Sequence, residues 1–249
     1  SMSKLFTFIL GLIIILSIMF VVNCSKATTT YTSTTGTSVK NTTTTVITST
    51  TTTSTTTTTT NPKEFIQINS SGDSFFMGDD TYGPQPNVRQ DITYNFKISK
   101  YEVCNLWYSE FINDGGYSNI SYWTSNGWNY KTLSNWTQPM YWNDTNYNAT
   151  NQPIVGVSWY EAVAFCNWLS DKSGISRAYS QTGQITNFIT GYRLPTEIEW
   201  EYVAAKGFSN KLERRYAWGD NWDCTLTIGS VSPCSNNKTS IIGSVPLGD

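Results

Sequence analysis

Two segments constrain this chain more than any others: GVSWYEAVAFCNWLS, from Gly156 to Ser170, and GYRLPTEIEWEYVAAKG, from Gly191 to Gly207. Each predicts a helix whose start is chemically specified. In the first, Ser158 stands as N-cap with Glu161 three residues later, so that hydroxyl and carboxylate satisfy the amides a helix start leaves without partners. Ala162, Phe165, Cys166 and Leu169 recur at helical spacing on one face, and Gly174 closes the element. In the second, Pro195 stops whatever precedes it, Thr196 is the N-cap, Glu199 its reciprocal partner and Gly207 the stop. Glu161, Glu199 and Arg193 look like candidate chemistry, yet two capping carboxylates and a partnered guanidinium account for them without a substrate. Trp159, Trp168 and Trp200 are read as core.

The rest of the chain is uneven in composition. Residues 28 to 60 contain 22 Thr and 4 Ser, with Lys40 as the only charge, too little apolar surface to offset the entropy of ordering. Residues 25–61 are therefore expected to be a disordered Thr/Ser-rich linker. All 10 Trp follow it, which leaves residues 62–249 as one aromatic-rich domain with enough chain to hold a core. A net charge of −2 and the lack of any Lys/Arg run argue against nucleic acid as a partner. The sequence has no histidine, which removes His-based metal sites, Ser-His-Asp triads and imidazole proton shuttles. It also has neither a phosphate-cradling glycine loop nor a CxxC pair.

Leu5 to Val22 is an apolar run of 18 residues behind Lys4, long for a signal-peptide core and just long enough to span a bilayer. Its end, Val21-Val22-Asn23-Cys24, resembles the lipobox of bacterial lipoproteins, in which the Cys is acylated and becomes the new N-terminus. Asn23 departs from the usual small residue before that Cys. Residues 1–24 are accordingly expected to be a signal peptide with Cys24 as the lipidation site, the alternatives being an uncleaved signal anchor or a signal peptide with an incidental Cys. In each case the domain is exported, and an anchored chain would hold it off a membrane surface on the Thr-rich spacer. Sequons such as Asn119, Asn135, Asn148 and Asn237 matter only in a eukaryotic secretory route. An export route permits disulfides, and Cys224 and Cys234, which flank a short polar loop, are expected to form one.

Within the domain, strand-like runs occur at EFIQI from Glu64, at SFFMG ending at Gly78, and from Thr93 to Val103. A short helix is expected from Asn105 to Asn113, ended by Gly115 and Gly116. Tyr117 to Gln152 shows no sustained period and is read as long irregular loops held by aromatic burial. These are short strands and helices separated by long loops.

Ordered blocks then suggest a family: Met77-Gly78, KYEV from Lys100, Asn135-Trp136 with Pro139, PIVGVSWYEAVAFCNWLS from Pro153, GYRLPTEIEWEYVAA from Gly191, and YAWG from Tyr216. This series resembles the sulfatase-modifying-factor, or formylglycine-generating-enzyme, family from about Phe65 onward. Ser158, Trp159, Glu161, Arg193, Pro195, Thr196, Glu199, Trp200 and Glu201 carry the motif and are taken as structural. The resemblance implies a compact, loop-rich α+β fold related to C-type lectins. It also implies a copper-dependent oxidation of a sulfatase cysteine to formylglycine, with calcium bound through loop carbonyls. The copper-holding cysteines of the family lie in a carboxyl-terminal third not found before Asp249, so the chain as written is expected to be catalytically incomplete, with no catalytic residue, metal ligand or cofactor assigned. Cys166 reads as a buried thiol on a helix, and Cys104 as a packing residue where the family tends to show Thr. A second reading keeps the fold without the chemistry, as a C-type-lectin-like module holding a peptide or glycan on aromatics between Tyr117 and Tyr147. A third is a truncated gene product with no function of its own.

Overall fold

The computed structural model describes residues 21–22, 61–78, 88–206, 216, 218–227 and 238–245. Cys24, the Thr-rich tract, Gly207 and Cys234 lie outside the described residues. In chain order the elements are β1 (Val21–Val22), β2 (Phe65–Ile68), β3 (Asp73–Met77), β4 (Val88–Ile92), β5 (Phe96–Ser99), α1 (Asn105–Asn113), a 3-10 turn (Ile120–Tyr122), α2 (Ser125–Leu133), α3 (Trp159–Lys172), β6 (Tyr192–Arg193), α4 (Glu197–Lys206) and a second 3-10 turn (Cys224–Leu226). Small sheets and four helices among the described residues make a mixed α+β architecture. Among the described residues no helix is long and apolar enough to cross a membrane.

The described residues form two antiparallel sheets. One has the order β2-β5-β1-β6, and the other is the β3-β4 pair. Phe65 lies opposite Ser99 and Ile68 opposite Phe96, while Asp73 lies opposite Ile92 and Met77 opposite Val88. The long run expected from Thr93 to Val103 forms a strand only over Phe96–Ser99. Strand β4 has no apolar alternation to announce it, because Ile92 is its only buried residue and pairing with β3 supplies the rest. Val21 and Val22, read from sequence as the end of an export segment, form β1, with Val21 opposite both Ile98 and Arg193.

Helix α3 is the centre of the molecule, and it corrects the expectation of a single apolar face. Every residue from Glu161 to Ser170 is buried. A helix buried all round must satisfy its polar side chains internally. Asn167 donates to the Tyr122 carbonyl at 2.8 Å, although its Oδ1 has no partner among the described residues, and Ser170 donates to the Cys166 carbonyl at 2.8 Å while accepting from the Tyr192 amide at 2.9 Å. Around α3 lies the larger core, an aromatic lattice in which Tyr108 stacks on Phe165 at 5.1 Å and Phe111 meets Trp168 edge-on at 5.7 Å. A smaller core of Ile68, Phe75, Ile92, Phe96, Ile98 and Tyr202 joins the strands to α4.

Helix α1 spans the expected residues, and Gly115 follows it at φ 78. Gly116 is required by packing, since a Cβ there would stand 2.4 Å from the Phe111 ring. Helix α2 is a correction to the loop expected from Tyr117 to Gln152. It lacks apolar periodicity, and its start is fixed instead by the Thr124 hydroxyl, which accepts from the Gly127 amide at 3.0 Å.

Candidate functional site

The motif residues resolve into two helix starts with different electrostatics. At α3 the expected reciprocal cap is present: the Glu161 amide donates to Ser158 Oγ at 3.2 Å, and the Ser158 amide donates to Glu161 Oε2 at 2.7 Å. The other carboxylate oxygen accepts from Tyr117 Oη at 2.5 Å, and Tyr117 Oη lies 3.3 Å from Tyr108 Oη. None of these direct partners is a cation. Burial therefore raises the Glu161 carboxyl above its usual range, against the opposing pull of Tyr117 and Ser158. Burial also pushes the Tyr117 and Tyr108 phenols well up, and the nearby Glu161 charge adds to this.

At α4 the same cap recurs, with Thr196 donating its amide to Glu199 Oε2 at 2.8 Å and the Glu199 amide donating to Thr196 Oγ1 at 3.2 Å. Here a cation joins it. Arg193 forks onto both oxygens of Glu199 at 2.6 and 2.7 Å, with side chains 1% and 0% exposed. The guanidinium also donates to the Leu194 carbonyl at 3.1 Å and lies 3.9 Å from the Phe188 ring centroid. Its Nε has no partner among the described residues. Tyr94 Oη donates to Glu199 at 3.0 Å, and burial with the adjacent carboxylate pushes that phenol up to about 12. Glu201, one of the motif residues, accepts from the Gly78 amide at 2.7 Å and so ties α4 to the end of β3.

The tryptophans divide. Trp168 is buried as expected, but Trp159 and Trp200 are 43% and 38% exposed. Trp159 packs edge-on to Tyr160 and Tyr179 at 5.4 and 6.1 Å. A side chain on Gly183 would collide with its ring at 2.7 Å. Both residues sit within the first turn of their helices, where the ring lies beside the core rather than in it. Pro195 is half-buried at the entrance to α4.

Cys104 and Cys166 are free, buried thiols, and burial raises both above the ordinary thiol range. A copper site needs accessible thiolates, so this pair does not fit that ion. Cys224 is not a free thiol, and its expected partner Cys234 lies outside the described residues. Among the described residues no three His, Cys, Asp or Glu side chains come together as a metal cluster would require. Of the aromatics between Tyr117 and Tyr147, Trp123 is sealed in the core, whereas Tyr130 is 57% exposed and Trp142 is half-buried at the surface.

Tyr94, Tyr117 and Phe188 complete the two helix starts, and sequence reasoning did not single them out for it. Only Tyr117 carried a local signal, following the Gly115-Gly116 stop.

Comparison with known proteins is consistent with this arrangement. The sulfatase-modifying factor enzyme 1-like domain matches residues 49–242. Hercynine oxygenase of Mycolicibacterium thermoresistibile is 31% identical over 134 residues, which are 50% of this chain and 25% of that protein. Formylglycine-generating enzyme of Mus musculus is 26% identical over 178 residues, 59% of this chain and 40% of that protein. The corresponding enzyme of Streptomyces coelicolor is 31% identical over 103 residues, 39% of this chain and 25% of that protein. The chain thus spans a quarter to two fifths of these three relatives. With its helix starts formed by the motif that carried the resemblance, the chain belongs to the sulfatase-modifying factor enzyme 1-like domain family.

Proposed function

We propose that this chain is an exported, membrane-tethered sulfatase-modifying-factor domain that does not itself oxidise cysteine to formylglycine. The observation that carries the second half is the state of the two free thiols among the described residues. Cys104 and Cys166 lie in the larger core with no exposed surface, and ionising either would put an uncompensated charge there. The chemistry of the family's copper enzymes needs a thiolate pair, and these two are built as packing.

The test is to incubate the purified full chain with copper, oxygen and a peptide containing Cys-X-Pro-X-Arg. The expected result is no aldehyde above a no-protein control, and aldehyde formation with loss of the peptide thiol overturns the reading. Cys224 is proposed to bridge to Cys234, and two free thiols in a non-reducing peptide map would remove that bridge.

Tethering through an acylated Cys24 rests on the apolar run and the Thr-rich spacer behind it. The pairing of β1 favours the uncleaved alternative, because cleavage before Cys24 would take Val21 and Val22 out of the sheet between β5 and β6. Mass spectrometry of the amino-terminal peptide separates the two. A lipidated Cys24 at the terminus supports the lipoprotein, and an intact peptide running through Val21 and Val22 supports the anchor.

A further inference from the structure

Between the start of α1 and the loop before α3 lies a surface pocket of about 380 Å³, lined by Asn105, Ser109, Trp142, Asn143, Asn148 and Thr150, with Leu106 beside them. We infer that this pocket binds a neutral saccharide through stacking on Trp142 and hydrogen bonds from the surrounding amides and hydroxyls.

Three features of the lining point to that class of ligand. None of these residues carries a charge, so nothing selects a phosphate, a carboxylate or an ammonium group. Carboxamides and hydroxyls offer donors and acceptors side by side, as a sugar hydroxyl does. Trp142 supplies the one large flat apolar surface, suited to the C–H face of a pyranose ring, and it rests on the core through Tyr108 at 6.5 Å. A volume of this size lies near the lower end for small-molecule sites, too small for more than a short stretch of peptide. Trp128 also lines a pocket with Asn129 and Thr132, but Lys131 stands 4.7 Å over its ring, and Tyr216, Trp218 and Trp222 pack on one another, whereas Trp142 is ringed by neutral polar groups.

The pocket wall is also held in place before any ligand arrives. Asn105 is buried, and its Nδ2 donates to the Tyr147 and Ala149 carbonyls at 2.7 and 2.9 Å. Gln152 is buried too, and it accepts from the Ala149 amide at 2.9 Å and donates to the Asn146 carbonyl at 3.0 Å. Asp144, the nearby acid, is not part of the lining, and its Oδ1 accepts from Asn146 Nδ2 and amide at 3.0 and 2.9 Å. Among the described residues the side chains of Asn143, Asn148 and Thr150 form no hydrogen bond and remain exposed. A fixed wall with unengaged polar groups lowers the ordering cost of binding. The inference stands apart from the export and oxidation readings, since it uses none of their residues.

The test uses the full chain made in a bacterial host, which leaves the Asn-X-Thr asparagines Asn143 and Asn148 unmodified. Saturation-transfer NMR is run with the methyl glycosides of glucose, galactose, mannose and N-acetylglucosamine. The expected result is transfer to ring protons of at least one glycoside, and its loss in Trp142→Ala. Because Trp142 also touches the core, Asn143→Ala and Asn148→Ala serve as the decisive variants, each weakening Kd by about fivefold. No transfer to any of the four glycosides overturns the inference. Transfer unchanged in the Asn143→Ala/Asn148→Ala double variant overturns it as well, since the sugar would then be held elsewhere.

Discussion

Helices α3 and α4 begin with the same device and neutralise it differently. Glu161 and Glu199 both cap a helix from its third position and are both buried. Glu161 is held by amide and hydroxyl groups alone, whereas Glu199 is locked into a two-pronged ion pair with Arg193. A carboxylate solvated only by neutral donors stays sensitive to its protonation state. A carboxylate paired with a buried guanidinium cannot be removed without stranding the opposite charge. The two motifs therefore look alike in sequence and fail in different ways.

The largest effect should come from breaking the ion pair. Glu199→Ala leaves the Arg193 guanidinium buried, with one nitrogen already lacking a partner, and is expected to destabilise the chain by about 3–5 kcal/mol. Urea denaturation of the full chain measures it. A double replacement of Arg193 and Glu199 by apolar residues should cost less than Glu199→Ala alone, because no stranded charge remains. If Glu199→Ala costs no more than Glu161→Ala, the contrast between the two caps is wrong.

Glu161 gives the second test, with a smaller cost and a pH signature. Glu161→Ala removes the acceptor of the Ser158 amide and of Tyr117, about 1–3 kcal/mol for the groups left unpaired. The sign of the pH effect follows from the raised native pKa. Below the ordinary glutamate value, about 4.3, both states carry the proton. As pH climbs from there through the elevated native value, the native state holds more protons than the unfolded one, so this group's contribution to stability falls and then levels off. Glu161→Gln should flatten that slope in urea midpoints taken across the mildly acidic range. An unchanged slope would mean that Glu161 is not the titrating group.

Local chemistry decides how much of this could be read from the chain. The caps were legible because Ser158 with Glu161 and Thr196 with Glu199 are three residues apart and satisfy each other without help from the rest of the fold. Arg193 could be read as partnered for the same reason, as it lies six residues from Glu199. The partners that distinguish the two caps were not legible, since Tyr117 is 44 residues from Glu161 and Tyr94 is 105 from Glu199. Trp159 and Trp200 were read as core from residue type, but type does not say on which side of a helix start a ring lies. Helix α2 escaped notice because a hydroxyl cap and the close approach of Gly127 to Tyr160, where a Cβ would stand 2.9 Å away, stand in for an apolar stripe. The Trp142 pocket combines α1 with a loop some forty residues later, and no spacing rule anticipates it.

A third helix start extends the comparison to its smallest effect. Helix α1 has Cys104 at its N-cap, in the extended backbone conformation that a cap requires (φ −91, ψ 166), but the thiol makes no capping hydrogen bond. Helix α1 satisfies its first amides through carbonyls of the preceding loop instead, with Asn105 donating to Gln152 at 3.0 Å and Leu106 to Thr150 at 2.8 Å. Threonine has close to the same volume as cysteine, but with those amides engaged its hydroxyl gains little as a cap. A hydroxyl buried there costs more to desolvate than a thiol. Cys104→Thr is expected to destabilise the chain by about 1 kcal/mol, measured as a lower urea midpoint with unchanged slope. A gain of stability would show that the site is set by the needs of the helix it precedes rather than by the packing of the Cys104 sulfur in the larger core.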